Sequence, residues 1–422
     1  MGREWKRFMG LIVQKFGGTS VGSIERIKHV ARLIEAEVKQ GNQIVTVVSA
    51  MGKSTDQLVD MALQITSRPS PREMDMLLTT GEQVSIALLC MALHELGLEA
   101  ISFTGWQAGI ETEKVHQKAR ITHIDPEKIM GQLNQGRIVV VAGFQGVTPD
   151  GQITTLGRGG SDTTAVALAA ALKAERCDIY TDVRGIYTAD PRVVPSATQL
   201  KQISYDEMLE LATLGAGVLH PRAVECAKKY GVPLMVRSSF EAVPGTEVKE
   251  EVDMETGRVV HGVAHDGRVT KVTIKGLKNE IGILSRVFNL LAQHNINIDV
   301  IINQSIRGEA HTSISFSLDT EDLDQALKVL GDHRSQLNYE DLVYERDLAK
   351  VSIVGAGMIS NPGVAAQMFQ SLAEAGIEIK MVSTSEIKVS CIVPRQDMER
   401  AVQTLHTAFG LDKVEEQVTS AN

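Results

Sequence analysis

Apolar positions along the first half of the chain alternate between two patterns. Short runs at Leu11–Phe16, Gln43–Ser49, Ala100–Phe103, Arg137–Gly143 and Asp178–Thr181 read as strands, and Gln43–Ser49 is β-branched in the manner of a strand buried on both faces of a parallel sheet. Between them, Ile24–Gln40, Arg72–Leu96 and the Ala-, Leu- and Val-rich run after Ser161 have helical character. This rhythm predicts an α/β fold: a three-layer αβα arrangement around a mostly parallel sheet. Ligands of such sheets sit beyond the carboxyl ends of the strands. The polar loops Gly17–Ser20, Ser49–Asp56, Gly157–Asp162 and Thr181–Tyr187 each follow a strand directly, so they are expected at one edge.

The last third of the chain repeats itself. Lys271–Ile274 is matched by Lys350–Ile353, Gly282 by Gly363, Val287–Leu291 by Gln367–Leu372, and Asn297–Asp299 by Glu378–Lys380. Each copy reads strand, helix, strand, then a second strand (His311–Leu318 and Ile387–Val393) and a further helix. That is a ferredoxin-like βαββαβ module, present twice. A boundary falls near Val243–Gly257, where Pro244, Gly245 and an acidic run break the pattern.

Composition narrows the function classes. At 422 residues two or three domains are expected. A formal charge of −9 argues against nucleic acid or an anionic membrane as partner. Cys90, Cys177, Cys226 and Cys391 are scattered, without CxxC or His at ligand spacing, so neither a disulfide framework nor a zinc site is indicated. Apolar runs such as Val84–Leu93 are too short to span a bilayer. Met1–Phe8 is basic with no apolar core after it, unlike a secretory signal, and Met9 would serve equally well as a start. A soluble cytoplasmic protein is expected. Gly52-Lys53-Ser54 resembles the end of a P-loop, but the Gly required five places earlier is Val47. Gly355-Ala356-Gly357 resembles a dinucleotide fingerprint and is explained instead by the repeat.

The densest chemistry lies at Thr154–Thr164, TTLGRGGSDTT. Gly157, Gly159 and Gly160 free the backbone to approach a ligand, and Ser161 is expected to cap the helix that follows. A glycine loop feeding a helix N-terminus offers free N–H groups and a positive dipole end to an anion. Arg158 adds a planar fork for carboxylate or phosphate, and Asp162 a negative charge beside it.

Together with Lys15-Phe16-Gly17-Gly18-Thr19-Ser20, Ser49-Ala50-Met51-Gly52, Gly81-Glu82, Thr181-Asp182-Val183, Tyr187–Arg192 and Gly217–Arg222, this loop resembles the aspartokinase family. These enzymes belong to the amino-acid kinase superfamily and end in two ACT domains. The likeness covers nearly the whole chain. It implies an amino-acid kinase catalytic domain over 9–245, a first ACT domain over 265–342, and a second built from 246–264 and 343–415. It implies phosphorylation of the side-chain carboxylate of L-aspartate by ATP with Mg2+, the first step toward lysine, threonine, methionine and diaminopimelate.

By the same resemblance Lys15, Asp162 and Arg158 are catalytic. Ser49, Thr55, Glu82, Arg158, Gly159 and Ser161 bind aspartate, with Glu82 on its ammonium. Lys15, Phe16, Gly17, Gly18, Thr181, Asp182, Tyr187 and Arg192 hold the nucleotide, and Mg2+ is held mainly by ATP phosphates. Arg184 stands where the family more usually has an acidic residue. Lysine and/or threonine are implied as effectors at Ile281, Gly282, Asn297, Ile298, Asp299 and Asn303, and at Val364, Ala365, Glu378, Ile379, Ser385 and Glu386. Ile281 replaces the Pro that the second copy keeps as Pro362. ACT pairing implies a homo-oligomer, and Met254 suggests an α2β2 assembly with an internally initiated subunit. The alternatives are a superfamily kinase acting on glutamate, N-acetylglutamate or UMP, and an amino-acid sensor with an inactive kinase fold. The doubled module and Gly215–His220 count against the first, and the intact Lys15, Glu82, Arg158 and Asp162 against the second.

Overall fold

The apolar runs of the first half lie side by side in one eight-stranded sheet. Its order is Gln202–Ser204, Thr246–Lys249, Leu234–Ser238, Arg176–Thr181, Leu11–Phe16, Gln43–Val48, Ile138–Ala142, Ala100–Phe103. From Leu234–Ser238 to Ala100–Phe103 every pairing is parallel. Thr246–Lys249 runs antiparallel to Leu234–Ser238 and carries Gln202–Ser204 on its other side. In this computed structural model the described residues are 10–214, 217–250, 258–304, 310–359 and 361–413. Met9, Met254, Gly215 and the outer limits 9 and 415 of the domain division fall outside them.

Side-chain alternation assigns the two faces. Ile12, Phe16, Ile44, Val48 and Val140 point to one side, where helices Ile24–Lys39 and Thr80–Glu95 bury Ile27, Val30, Ile34, Ile86, Leu89 and Leu93 against them. Lys15 has the opposite parity and meets the other layer, which includes helix Gly160–Leu172. Phe16 stacks on Tyr180 with ring centroids 4.5 Å apart. A small four-stranded sheet, Ile121–Ile124, Ile110–Thr112, Gln145–Val147 and Ile153–Thr155, leads into the glycine loop.

Three expectations change. The stretch Arg72–Leu96 is two helices, Pro71–Leu78 and Thr80–Glu95, because at Thr79 the backbone carbonyl accepts from Gln145 Nε2 at 3.1 Å. As one apolar stretch, Pro71–Glu95 is long enough to cross a membrane, contrary to the reading that no run suffices. Half of its most apolar window is buried, and it packs into the core as a folded unit's helix does. Thr246–Lys249, expected in the second module, completes the first sheet, since Val248 pairs with Leu234.

Of the described residues, 10–186, 199–213 and 217–250 form one unit, and 187–198, 214 and those from 258 onward form a second. In the second unit the two repeats merge into a single antiparallel sheet. Its order is Ile301–Gln304, His311–Asp319, Gly262–Lys278, Asp341–Val354, Lys388–Pro394, Met381–Thr384. The two central strands are shared. Gly262–Asp266 pairs with Lys350–Val354 and Lys271–Lys275 with Asp341–Glu345, with register shifts around Val269 between the two zones. One core gathers Val272, Ile274, Val287, Leu291 and Phe316, and the other Val351, Ile353, Met368, Leu372 and Leu405. Ala189 and Val194, from a segment that precedes the repeats by some way in sequence, are buried in the latter core.

Leu89 is fully buried beneath the central sheet. Replacing it with Ala should cost about 2–5 kcal/mol in a urea-unfolding experiment, a Leu→Ala cavity that the β-branched strands around it cannot collapse to fill.

Candidate active site

The expected convergence of loops is built from backbone hydrogen bonds at the carboxyl edge of the parallel sheet. Ser49 N–H donates to Phe16 O at 3.1 Å, Gly143 N–H to Val48 O at 3.0 Å, Gly52 N–H to Gly18 O at 3.0 Å and Ser239 N–H to Thr181 O at 2.9 Å. Glycines allow the loops to close. A side chain at Gly18 would meet Ala50 O at 2.9 Å, and one at Gly143 would meet Ser161 Oγ at 2.7 Å.

At the centre of this rim Lys15 Nζ lies 2.6 Å from Asp162 Oδ1, each side chain little more than a tenth exposed. The pair joins the end of the central strand to the first turn of helix Gly160–Leu172. That helix starts differently from the expectation. Its cap is Gly159, in the left-handed region at φ +69°, and Ser161 lies inside the first turn. The chain enters through two left-handed glycines, 157 and 159, leaving the Ser161 hydroxyl free to accept from Ser49 Oγ at 2.9 Å. Gly159 also has to be glycine because the His220 ring lies over it. Burial holds the His220 imidazole below its usual pKa, which favours the neutral ring.

Glu82 is 3% exposed in helix Thr80–Glu95. Gly81 lets that helix approach, since a side chain there would meet Ala50 Cβ at 2.8 Å. Glu82 Oε1 accepts from Ala50 N–H at 3.2 Å, while Oε2 is buried with no hydrogen-bond partner. Burial pushes its carboxyl up to about 7, against the opposing pull of the Ala50 N–H. A half-satisfied buried carboxylate is costly unless a cation meets it. Lys15, the helix N-terminus and the exposed Arg158 supply positive charge on the same rim. The arrangement fits a zwitterion presented to a phosphate.

The structure therefore brings Lys15, Gly17, Gly18, Ser49, Glu82, Ser161 and Asp162 together around one edge, with Phe16 buried beneath them and Arg158 and Gly159 on the loop above. Thr55 stands in the first turn of helix Ser54–Ile65. Thr181 ends strand Arg176–Thr181 in the first unit and Asp182 follows it, whereas Tyr187 and Arg192 belong to the second. Arg184 is paired with Glu241 at 2.7 Å. In the second unit Gly282 and Gly363, at φ +93° and +102°, open helices Ile283–Gln293 and Val364–Glu374 at equivalent places. Ile281 is fully exposed, and Val364 and Ala365 begin the second helix. Asn297, Ile298 and Asp299 precede strand Ile301–Gln304, where Asn303 accepts from Thr312 Oγ1 at 3.0 Å. Asp299 pairs with Lys350, and Glu378 with Lys380 at 3.1 Å. Ile379 is half-buried, and Ser385 and Glu386 form the exposed turn after Met381–Thr384.

Ser239 escaped the sequence reading. Its hydroxyl accepts from Ser20 Oγ at 2.8 Å and donates to Thr181 O at 3.1 Å, closing the rim on that side. The signal was present in Leu234–Ser238, a further strand that closes on the polar pair Ser238-Ser239. Gly159→Ala tests the loop geometry: left-handed strain of about 1–2 kcal/mol adds to the collision with His220, and thermal unfolding should record both. Adding His220→Gly, which removes both the ring and the Cβ that would stand 2.3 Å away, should recover only the collision.

Residues 10–238 match the model of the amino acid kinase family, and residues 272–333 and 351–409 that of the ACT domain. An aspartokinase of Bacillus sp. (strain MGA3) is 63% identical over 403 residues, covering 96% of this chain and 98% of the relative. Two solved structures of E. coli aspartokinase III share the fold. The complex with aspartate and ADP (R-state) has a TM-score of 0.78 and 29% identity, covering 94% of this chain and 99% of that one. The complex with lysine and aspartate (T-state) has a TM-score of 0.74 and 30% identity, covering 95% and 99%. On this identity along nearly its whole length, the chain belongs to the aspartokinase family.

Proposed function

We infer that this chain transfers the γ-phosphoryl group of ATP to the side-chain carboxylate of L-aspartate, giving 4-phospho-L-aspartate and ADP, under control of amino acids bound at its ACT domains. One observation carries the substrate reading: the buried, half-satisfied carboxylate of Glu82 on the rim that holds the Lys15–Asp162 pair.

The reaction asks for positioning and charge neutralisation. A carboxylate oxygen attacks the γ-phosphorus as the bond to the β,γ-bridging oxygen breaks, and ADP leaves. The nucleophile is already an anion, so no general base is required. In this reading Lys15 bridges the transferred phosphoryl group, held in place by Asp162. Arg158 grips a substrate carboxylate with its fork, and Glu82 takes the ammonium. Ser49, Thr55, Gly159 and Ser161 complete the acceptor side. Phe16, Gly17, Gly18, Thr181, Asp182, Tyr187 and Arg192 serve the nucleotide. In this reading Mg2+ is carried mainly on the ATP phosphates. Domain limits near 9–245, 265–342, and 246–264 with 343–415 are proposed, the last amended by the place of Thr246–Lys249 in the first sheet. Lysine or threonine at the two Gly282 and Gly363 helix starts, and a homo-oligomer or α2β2 assembly, belong to the same proposal.

Aspartyl hydroxamate formation from L-aspartate, Mg-ATP and hydroxylamine, with and without lysine and threonine, tests the reading. Turnover suppressed by either amino acid or by the pair is expected. Reaction with glutamate or N-acetylglutamate in place of aspartate would overturn it. Arg158→Ala should raise the aspartate KM about 10–100-fold, the worth of a lost charge-assisted fork of roughly 1.5–3 kcal/mol.

The raised Glu82 carboxyl gives two pH signatures. Ionised Glu82 is needed for the ammonium, so kcat/KM for aspartate should fall as pH drops below about 7, and Glu82→Gln should flatten that limb at a low value. Stability runs the other way. The unfolded carboxyl releases its proton near 4.5 and the folded one at about 7, so between these values the folded state binds more protons and its stability declines as pH rises. Unfolding free energies of Glu82→Gln and the parent should therefore diverge in favour of Gln across that window.

A further inference from the structure

Asp75 lies on helix Pro71–Leu78, fully buried, and none of the proposed chemistry uses it. Its carboxylate is saturated. Oδ1 accepts from Thr155 Oγ1 at 2.6 Å, Oδ2 meets His116 Nδ1 at 2.7 Å, and both oxygens take the Gln117 N–H at 3.1 Å. Two separate segments, the adjacent His116 and Gln117 and the strand that ends at Thr155, are thereby tied to one charged group.

Each tie leads toward the acceptor rim. Thr155 ends the strand from which Leu156 and Gly157 carry the chain to Arg158. Gln117 is held at φ +67°, unusual for a residue with a side chain, and its carbonyl lies 2.8 Å from where a Gly157 Cβ would stand. The same strip is fixed from its other side by Arg222, which donates to Leu156 O at 2.6 Å and Ala119 O at 3.0 Å. On the helical side, the Asp75 carbonyl accepts from Thr79 N–H at 3.2 Å, at the break from which helix Thr80–Glu95 sets out with Glu82 in its first turn. One buried carboxylate thus connects the stem of the Arg158 loop to the arm that carries Glu82.

We propose that Asp75 is a positioning residue that sets the span between Glu82 and Arg158, and through it the length of amino-acid dicarboxylate the site accepts. The inference rests on the reading that those two residues grip the substrate. Removing a tie lets the Arg158 stem drift relative to Glu82, which weakens aspartate and relaxes its preference over glutamate. The nucleotide, held from other loops, is untouched.

The test uses the full chain in the hydroxamate assay with Thr155→Val, Thr155→Ser and Asp75→Asn. Thr155→Val deletes one tie while keeping the strand residue's shape, so it remains informative should Asp75→Asn fail to fold. Expected for Thr155→Val is an aspartate KM raised about 10-fold, the worth of one charge-assisted hydrogen bond, with the ATP KM and kcat within about 3-fold of the parent. Turnover with glutamate relative to aspartate should rise, and Thr155→Ser, which keeps the hydroxyl, should restore parental values. A lower melting temperature with unchanged aspartate KM and unchanged preference would overturn the proposal and leave Asp75 a purely structural anchor. Arg158→Ala and Glu82→Gln, run beside these, separate the failures. If they raise the aspartate KM and Thr155→Val does not, the positioning role alone falls; if they leave it unchanged, the substrate reading falls and takes this inference with it.

Discussion

The site depends on one ion pair made across two elements. Lys15 emerges from the middle strand of the sheet and Asp162 from the first turn of a buried helix, and they meet at 2.6 Å with little water around them. Charges so enclosed are costly singly and tolerable together. Their attraction therefore locks the helix start against the strand end and aims the free N–H groups of that start at the rim. It also leaves the ammonium of Lys15 in place before any ligand arrives, and such preorganisation is what a transfer between two anions needs most.

The glycines around the pair do the complementary work. Gly159 makes room for His220, Gly143 for Ser161, Gly18 for the backbone at Ala50 and Gly81 for the helix that brings Glu82. At each of these places a single methyl group would collide with atoms that form the site. The close fit of the loops is thus a consequence of absent side chains as much as of present ones.

Much of this was legible in the chain. Continuous apolar runs located strands such as Ile138–Ala142, buried at every position, because strands buried on both faces have no polar alternation to confuse. Lys15 stood out because it ends a strand before Gly17 and Gly18, and Asp162 because it follows a glycine run at a helix start, whereas Ser49 and Glu82 were marked by the family resemblance. What failed depended on distant atoms. Ser161 has every attribute of a helix cap, yet Gly159 takes that place because the loop turns left-handed over His220. Thr246–Lys249 follows a Pro-Gly break and looked like the start of a new module, but its partner strand lies ten residues back, across that break. Asp75 reads as an ordinary polar residue on an amphipathic helix. Only the fold shows that two remote segments converge on its carboxylate.

The repeated half carries a consequence of its own construction. Strands Gly262–Lys278 and Asp341–Val354 each serve one repeat along one stretch and the other repeat along the next. The two copies are in effect spliced at the level of the hydrogen-bond ladder, so that no cut in the chain yields one intact copy. Trimming either leaves the survivor with an unpaired edge at its centre, open to any passing strand. The duplication is legible as two in the sequence and behaves as one in the folded molecule.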